Sequence, residues 1–440
     1  MNALSKKTRG RACSYNEGDE RMIHIGRPYV TNEGDRAFLR AAVSMSDDAV
    51  SRYLEVTGKL KNAAWLTAVD YPPAYWKEDG TMWFSVPSEY SKYLCSERSD
   101  AFVIACLWYA MVTGSDISFE APLSARLSEG LTGKLLPALA KDGFRQISLS
   151  GPVSDEPAWH EDGVVAGMSC GVDSLYTLAC YGGDRAPEGM RLTHLVYYDG
   201  NFLFPHKEPP YDLDEIYRKA SMPHAQFAAN AAVIAEHHDL PFIFVQHNMD
   251  SDFYRGGRIY SSMYRFLACT LALEHLYGTY ISSSSGHEAN VEVSLFAPTQ
   301  HYEELLCENC RTETLDYVTS DHESRSSKLR ALADDEDARK YLAVCYQPGE
   351  HGENCGECYA CWKTMIPLDI MGKLDGFRES FDLDKYYPNR KKVFADLIRF
   401  SQRPEASSAR DSVRQFVKLA EDEKSEAGRE FMEVLRTARL

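Results

Sequence analysis

Apolar and polar positions change rhythm along the chain, and the change marks a central α/β unit. From residue 164 onward, short continuous apolar runs at 164–168, 193–198, 242–245 and 279–282 alternate with helical patterns at 174–181, 225–237 and 260–276. Continuous apolar strands are what a parallel sheet requires, because helical crossovers cover both of its faces. The expected fold class is α/β, built on a doubly wound parallel sheet.

Upstream, strand-like runs at 22–25, 64–69, 82–86 and 147–149, with helical patterns at 35–44 and 100–112, predict a separate N-terminal α/β domain over residues 1–158. Residues 151–163 are rich in turn formers and acids and read as a linker or domain edge. A central domain is expected over 159–300 and a cysteine-rich lobe over 301–375. A C-terminal helical region follows over 376–440, with surface helices at 393–400 and 412–436.

Composition adds little to this picture. The chain has 440 residues, 44% hydrophobic and 26% charged, an ordinary globular balance with material for a substantial core. The longest apolar run, 101–112, is too short to cross a bilayer, and the polar N-terminus lacks the apolar centre of a signal peptide. A cytoplasmic protein with no membrane contact is expected. The formal net charge of −17 disfavours a large nucleic-acid footprint and favours a small-molecule substrate. The basic run Arg390, Lys391 and Lys392 reads as a solvated helix end.

The first apolar strand of the central unit runs into Ser169-Cys170-Gly171-Val172-Asp173-Ser174, and a helix begins at once. In an open parallel sheet, ligands sit beyond the carboxyl ends of the strands. A helix N-terminus there presents unpaired N–H groups that suit phosphate. Gly171 allows close backbone approach, and the hydroxyls of Ser169 and Ser174 can donate to phosphate oxygens. Asp173 has two readings: a helix cap, with Ser174 as the alternative, or a ligand for Mg²⁺. The loop has neither the G-x-x-x-x-G-K-[ST] of a Walker A motif nor a G-x-G-x-x-G.

SCGVDS resembles the SGGxDS signature of the PP-loop ATP pyrophosphatases, also called adenine nucleotide alpha hydrolases. That resemblance implies a PP-loop type of doubly wound fold and adenylation chemistry. A substrate oxygen attacks the α-phosphate of ATP, pyrophosphate leaves, and a nucleophile then displaces AMP. It implies that Ser169, Gly171, Asp173 and Ser174 hold pyrophosphate and magnesium, with Cys170 in a loop position that is normally glycine. Adenine is expected against the end of the second strand, where Asp199 either contacts ribose or closes a turn. His247 and Asp250, after the third strand, lie on the same edge.

Six of the 12 cysteines, Cys307, Cys310, Cys345, Cys355, Cys358 and Cys361, crowd one stretch. The last four form C-x9-C-x2-C-x2-C, a spacing that lets four thiolates close around one tetrahedral ion, with zinc preferred over an iron–sulfur cluster. The CGECYAC core is similar to the four-cysteine knuckle of 7-cyano-7-deazaguanine synthase-like members of the same family. Just upstream, the segment at 324–345 resembles one in PP-loop proteins that brings Lys328 and Arg325 to the phosphates of ATP. A solvated helix face is the alternative for both residues.

The resemblance implies a ligase that uses ATP and Mg²⁺, carries Zn²⁺, and forms C–N bonds on an adenylated carboxylate or carbonyl oxygen. Asp173, Ser174 and Lys328 are its expected catalytic residues. Two other readings stand beside it: sulfur transfer through Cys307 and Cys310, and a non-catalytic nucleotide sensor. The N-terminal region is open to roles in substrate binding, a homodimer interface or a pathway partner.

Overall fold

The computed structural model describes residues 21–60, 79–141, 143–199, 213–249, 258–284, 293, 299–320, 323–345, 348–349, 351–403 and 406–438. The expected strand at 64–69 lies outside them.

The N-terminal region supplies β1 (Met22–Ile25), β2 (Tyr29–Glu33), β3 (Arg36–Met45), α1 (Asp47–Leu60), β4 (Asp79–Pro87) and α2 (Asp100–Thr113). It continues with β5 (Asp116–Phe119), β6 (Leu123–Ser124), α3 (Ala125–Gly130), α4 (Leu136–Ala140), β7 (Leu149–Ser150) and β8 (Val153–Ser154). The central unit is β9 (Gly163–Gly167), α5 (Val172–Tyr181), β10 (His194–Tyr198), α6 (Leu213–His237), β11 (Phe242–His247), α7 (Arg258–Ala272) and β12 (Tyr277–Ser282). Then come α8 (Glu303–Asn309), β13 (Asp316–Thr319), α9 (Arg325–Leu332), α10 (Glu336–Tyr341) and α11 (Tyr359–Ile370). Three helices close the chain: α12 (Leu383–Ser401), α13 (Ser407–Glu423) and α14 (Glu426–Ala438).

An 11-stranded sheet runs in the order β13-β12-β9-β10-β11-β4-β3-β1-β5-β7, with β2 paired to β3. Strands β9 to β13 are mutually parallel and lie in the order third, second, first, fourth, fifth. Alternate residues face opposite cores. Val165, Val196, Ile243 and Val245 join Tyr264, Leu267 and Leu271 of α7. Val164, Ala166, Leu195 and Tyr197 join Leu175 and Leu178 of α5 and Ala231 and Ile234 of α6. Helices therefore cover both faces, and the strand order reverses between β9 and β12. The loop after β9 leaves the sheet at that switch point, where α/β sheets open a crevice.

The sheet does not stop where the central unit begins. β4 pairs antiparallel with β11 through Gln246↔Ser85 and His247↔Phe84. The core on that face runs on to Phe102 and Trp108 of α2, so N-terminal and central residues share one apolar interior. Residues 151–163 are pinned: β8 pairs with β6, and Gly163 approaches so closely that a Cβ there would lie 2.4 Å from the Leu276 carbonyl oxygen.

Two expected helices are corrected. The stretch expected as a helix at 35–44 falls almost wholly in strand β3, because Ala37, Leu39, Ala41 and Val43 bury one face at a period of two and β3 pairs with β4 from Arg36↔Pro87 to Ser44↔Asp79. The alanines at 37, 41 and 42 favour helix locally, but the sheet context overrides that weak preference. The stretch 412–436 is two helices broken at Lys424, whose φ of 51° is left-handed. These are not free surface helices. Phe416 and Phe431 pack with Phe394 of α12 in the second core. Arg390 and Lys391 bridge α12 to Glu430 of α14, and Arg390 also faces Asp369 of α11.

Among the described residues, no helix is long and apolar enough to cross a membrane.

Candidate phosphate loop and four-cysteine metal centre

β9 ends in a sharp turn. Cys170 is fully buried and left-handed, with φ 58°. That conformation costs a residue with a Cβ roughly 1–2 kcal/mol relative to glycine. Burial of the thiol in the second core, with Sγ 3.7 Å from the Phe227 carbonyl oxygen, offsets the cost. The Cys170 carbonyl accepts from Ala343 N–H at 2.8 Å, tying the loop to the strand of chain that leads into the cysteine cluster. Cys170→Gly is expected to change stability by less than about 1 kcal/mol, strain relief cancelling lost packing. Cys170→Val, β-branched at a left-handed position, should cost about 2–3 kcal/mol. Thermal denaturation of the two variants checks both.

Gly171 is the N-cap of α5 in extended conformation, and no side chain caps the helix, so neither Asp173 nor Ser174 serves as the cap. The loop is braced internally instead. Ser174 Oγ accepts from Ser169 N–H at 3.3 Å and donates to the Gly171 carbonyl at 3.1 Å, and the two serine hydroxyls lie 3.2 Å apart. The first-turn N–H groups thus point past the end of β9, where a helix favours an anion.

Asp173, in the first turn, is held by two cations from α9. Lys328 Nζ donates to Asp173 Oδ1 at 3.1 Å, and Arg325 Nη1 lies 3.8 Å from Oδ2. Lys328 is fully buried and also donates to the Ser284 carbonyl, so a solvated helix face is excluded for it. The tip of Lys328 lies 5.6 Å from the Tyr176 ring centre, and Arg325 donates to Thr364 Oγ1 at 3.0 Å. A buried ammonium is tolerable only when its donors are paired in this way.

Lys363 is a third cation here, missed in the sequence. It lies on α11, half-buried, 5.5 Å from the Tyr359 ring centre. Burial first, then the nearby Arg325 charge, pushes its ammonium down to about 8, while Asp173 acts in the opposite direction. The only sequence signal was its place two residues after the last cysteine of the cluster.

Asp199 lies at the carboxyl end of β10, its N–H donating to the Val245 carbonyl at 2.8 Å, on the same edge as the loop. The Arg36 guanidinium feels its charge: burial lowers Arg36, and Asp35 and Asp199 raise it. His247 ends β11 opposite Phe84, and Asp250 lies outside the described residues.

The four cysteines Cys345, Cys355, Cys358 and Cys361 converge. Sulfur separations are 3.8 Å for Cys345–Cys358, 4.0 Å for Cys355–Cys361 and 3.6 Å for Cys358–Cys361. Sulfurs bound at about 2.3 Å around one tetrahedral ion sit about 3.8 Å apart. The set can therefore hold a single metal ion such as zinc, whereas a cluster of several irons would spread the sulfurs further. Left-handed Gly356, with φ 72°, turns the chain after Cys355, and Cys358 is the N-cap of α11, where the helix dipole favours thiolate. Asn354 clamps the arm. Its Oδ1 accepts from Val344 and Cys345 N–H at 2.9 and 3.0 Å, and its Nδ2 donates to the Leu342 and Ser380 carbonyls.

Cys307 and Cys310 lie in the first core, apart from this set. Burial pushes Cys307 up to about 12 and Cys310 well above its ordinary value. Both thiols are buried, which suits them poorly to nucleophilic sulfur chemistry.

Comparison of the chain with family models, curated proteins and solved structures gives no match.

Proposed function

We propose that the chain binds ATP at the loop 169–174 and transfers its adenylyl group to a carboxylate or carbonyl oxygen, releasing pyrophosphate. What carries the reading is the placement of Lys328 and Arg325 against Asp173, at an α-helix N-terminus that opens on the switch point of a parallel sheet.

In this reading the α5 N–H groups and the hydroxyls of Ser169 and Ser174 bind the β- and γ-phosphates. Asp173, paired with Lys328 and Arg325 in this structure, would be the residue to hold Mg²⁺, which would supply charge neutralisation on the phosphate oxygens. The substrate oxygen attacks the α-phosphorus, the bond from that phosphorus to the αβ-bridging oxygen breaks, and pyrophosphate carries away its electron pair. Lys328, Arg325 and Lys363 stabilise the developing charge on the leaving group. An amine or ammonia then adds to the activated carbon and AMP departs, which is the C–N ligase chemistry that the family resemblance suggests. Zinc in the four-cysteine centre is structural, since all four positions are filled by protein sulfur. The burial of Cys307 and Cys310 disfavours a sulfur relay.

Isotope exchange between labelled pyrophosphate and ATP tests the proposal, with pooled small carboxylic acids as acceptors. Exchange should depend on acceptor and Mg²⁺ and should fall at least about 100-fold in Asp173→Ala. Nucleotide binding without exchange against any acceptor would favour a sensor.

A further inference from the structure

Three potential metal ligands, with Glu274 beside them, meet far from the loop 169–174, at the amino ends of β9 and β12. Cys95 and Glu97 come from the segment before α2, and Glu274 and His275 from the turn between α7 and β12. The Cys95 thiol, a Glu97 carboxylate oxygen and a His275 ring nitrogen all lie within 4.8 Å of one another.

The hydrogen bonding orients each donor. His275 Nδ1 lies 3.2 Å from the Lys92 carbonyl oxygen, which can only accept, so that nitrogen donates there and Nε2 is the one turned toward Glu97 and Cys95. Glu97 Oε1 is 2.5 Å from that Nε2. This is a short charge-assisted hydrogen bond, which an ion bound by both groups would replace and widen, and the Cys95 thiol turns toward the same pair. The buried Cys95 Sγ is within reach of both, and Glu274 Oε2 lies 3.9 Å from Sγ. The other oxygen of Glu274, Oε1, is taken by the hydroxyls of Thr312 and Thr314, which fixes how the carboxylate points. A histidine that donates its second ring nitrogen to a backbone carbonyl is the usual outer-shell arrangement of a metal ligand. Arg98, buried and paired with Glu313, acts on Glu274 against the burial that raises it.

We infer that Cys95, Glu97 and His275 form a second metal site, with the mixed sulfur, nitrogen and oxygen donors that suit zinc. It joins the N-terminal segment to the turn that starts β12. Cys95 N–H already donates to the Ala272 carbonyl at 3.1 Å, and Glu161 N–H to the His275 carbonyl at 2.8 Å.

Metal analysis of the full chain, loaded with zinc and freed of loosely bound metal, tests the site. The wild type should hold about two zinc ions per chain, and C95S/H275Q about one fewer. An unchanged count in the folded double variant overturns the proposal. If that variant does not fold, crystals of the wild type grown with two equivalents of zinc and measured at the zinc absorption edge decide. A peak between Cys95 Sγ and His275 Nε2 supports the site, and density confined to the four-cysteine centre rules it out.

Discussion

Lys328→Met should abolish acceptor-dependent pyrophosphate exchange, with a loss of at least about 100- to 1,000-fold, the scale for removing a preorganised charge from a leaving group. Methionine keeps most of the buried stem, so packing changes little. What it removes is the ammonium that bridges Asp173 Oδ1 and the Ser284 carbonyl. Breaking a fully buried ion pair costs roughly 3–5 kcal/mol. Here the Asp173 side chain is 29% exposed and can recover water, so about 2 kcal/mol of stability is the expected loss. Arginine should not rescue exchange, because a planar fork cannot replace a compact ammonium in a closed site. Near-normal exchange in Lys328→Met, checked beside its denaturation curve, would remove Lys328 from the chemistry.

The second large effect concerns the metal. Cys358→Ser, or prolonged chelation of the wild type, should release the ion of the four-cysteine centre and weaken ATP binding at least about tenfold. The coupling is physical and short. Leu342 to Cys345 form the arm that Asn354 clamps, and Ala343 in that arm donates to the Cys170 carbonyl. On the other side of the four cysteines, α11 starts at Cys358 and carries Thr364 to Arg325, which faces Asp173. An empty centre should therefore loosen both the turn at 169–174 and the cations paired with Asp173. Calorimetric titration of metal-free and reconstituted protein with ATP and Mg²⁺ measures the difference. Equal affinity in the two forms would mean that the loop does not depend on the centre.

Much of the central unit was legible in the sequence because its signals are local. A parallel strand buried on both faces writes a continuous apolar run, as 164–168 does, and four cysteines within 17 residues write a metal centre directly. Strand β3 was not legible, since its alanines suit a helix and only pairing with β4 decides otherwise. Nor was the junction of β4 with β11, which depends on two residue pairs from distant parts of the chain. At the site, Ser169, Asp173, Lys328 and the cysteines were named by motif. Lys363 and Asn354 act through where the knuckle places them, and no spacing rule flags a lysine or an asparagine beside a cysteine. Cys95 and His275 stand 180 residues apart, so only the fold brings them together. Cys170 shows the reverse case: the unusual residue was plain in the sequence, but its reason is the left-handed backbone, visible only in three dimensions.

The central claim is that the loop 169–174 holds the pyrophosphate end of ATP. A crystal structure of the zinc-loaded protein with Mg²⁺ and α,β-methylene ATP, which cannot be cleaved at the α–β link, tests it most directly. The β- and γ-phosphates should lie within about 3 Å of the N–H groups of the first turn of α5 and of the hydroxyls of Ser169 and Ser174, with Mg²⁺ on Asp173. Triphosphate bound elsewhere, with the first turn of α5 free of it, would contradict the account.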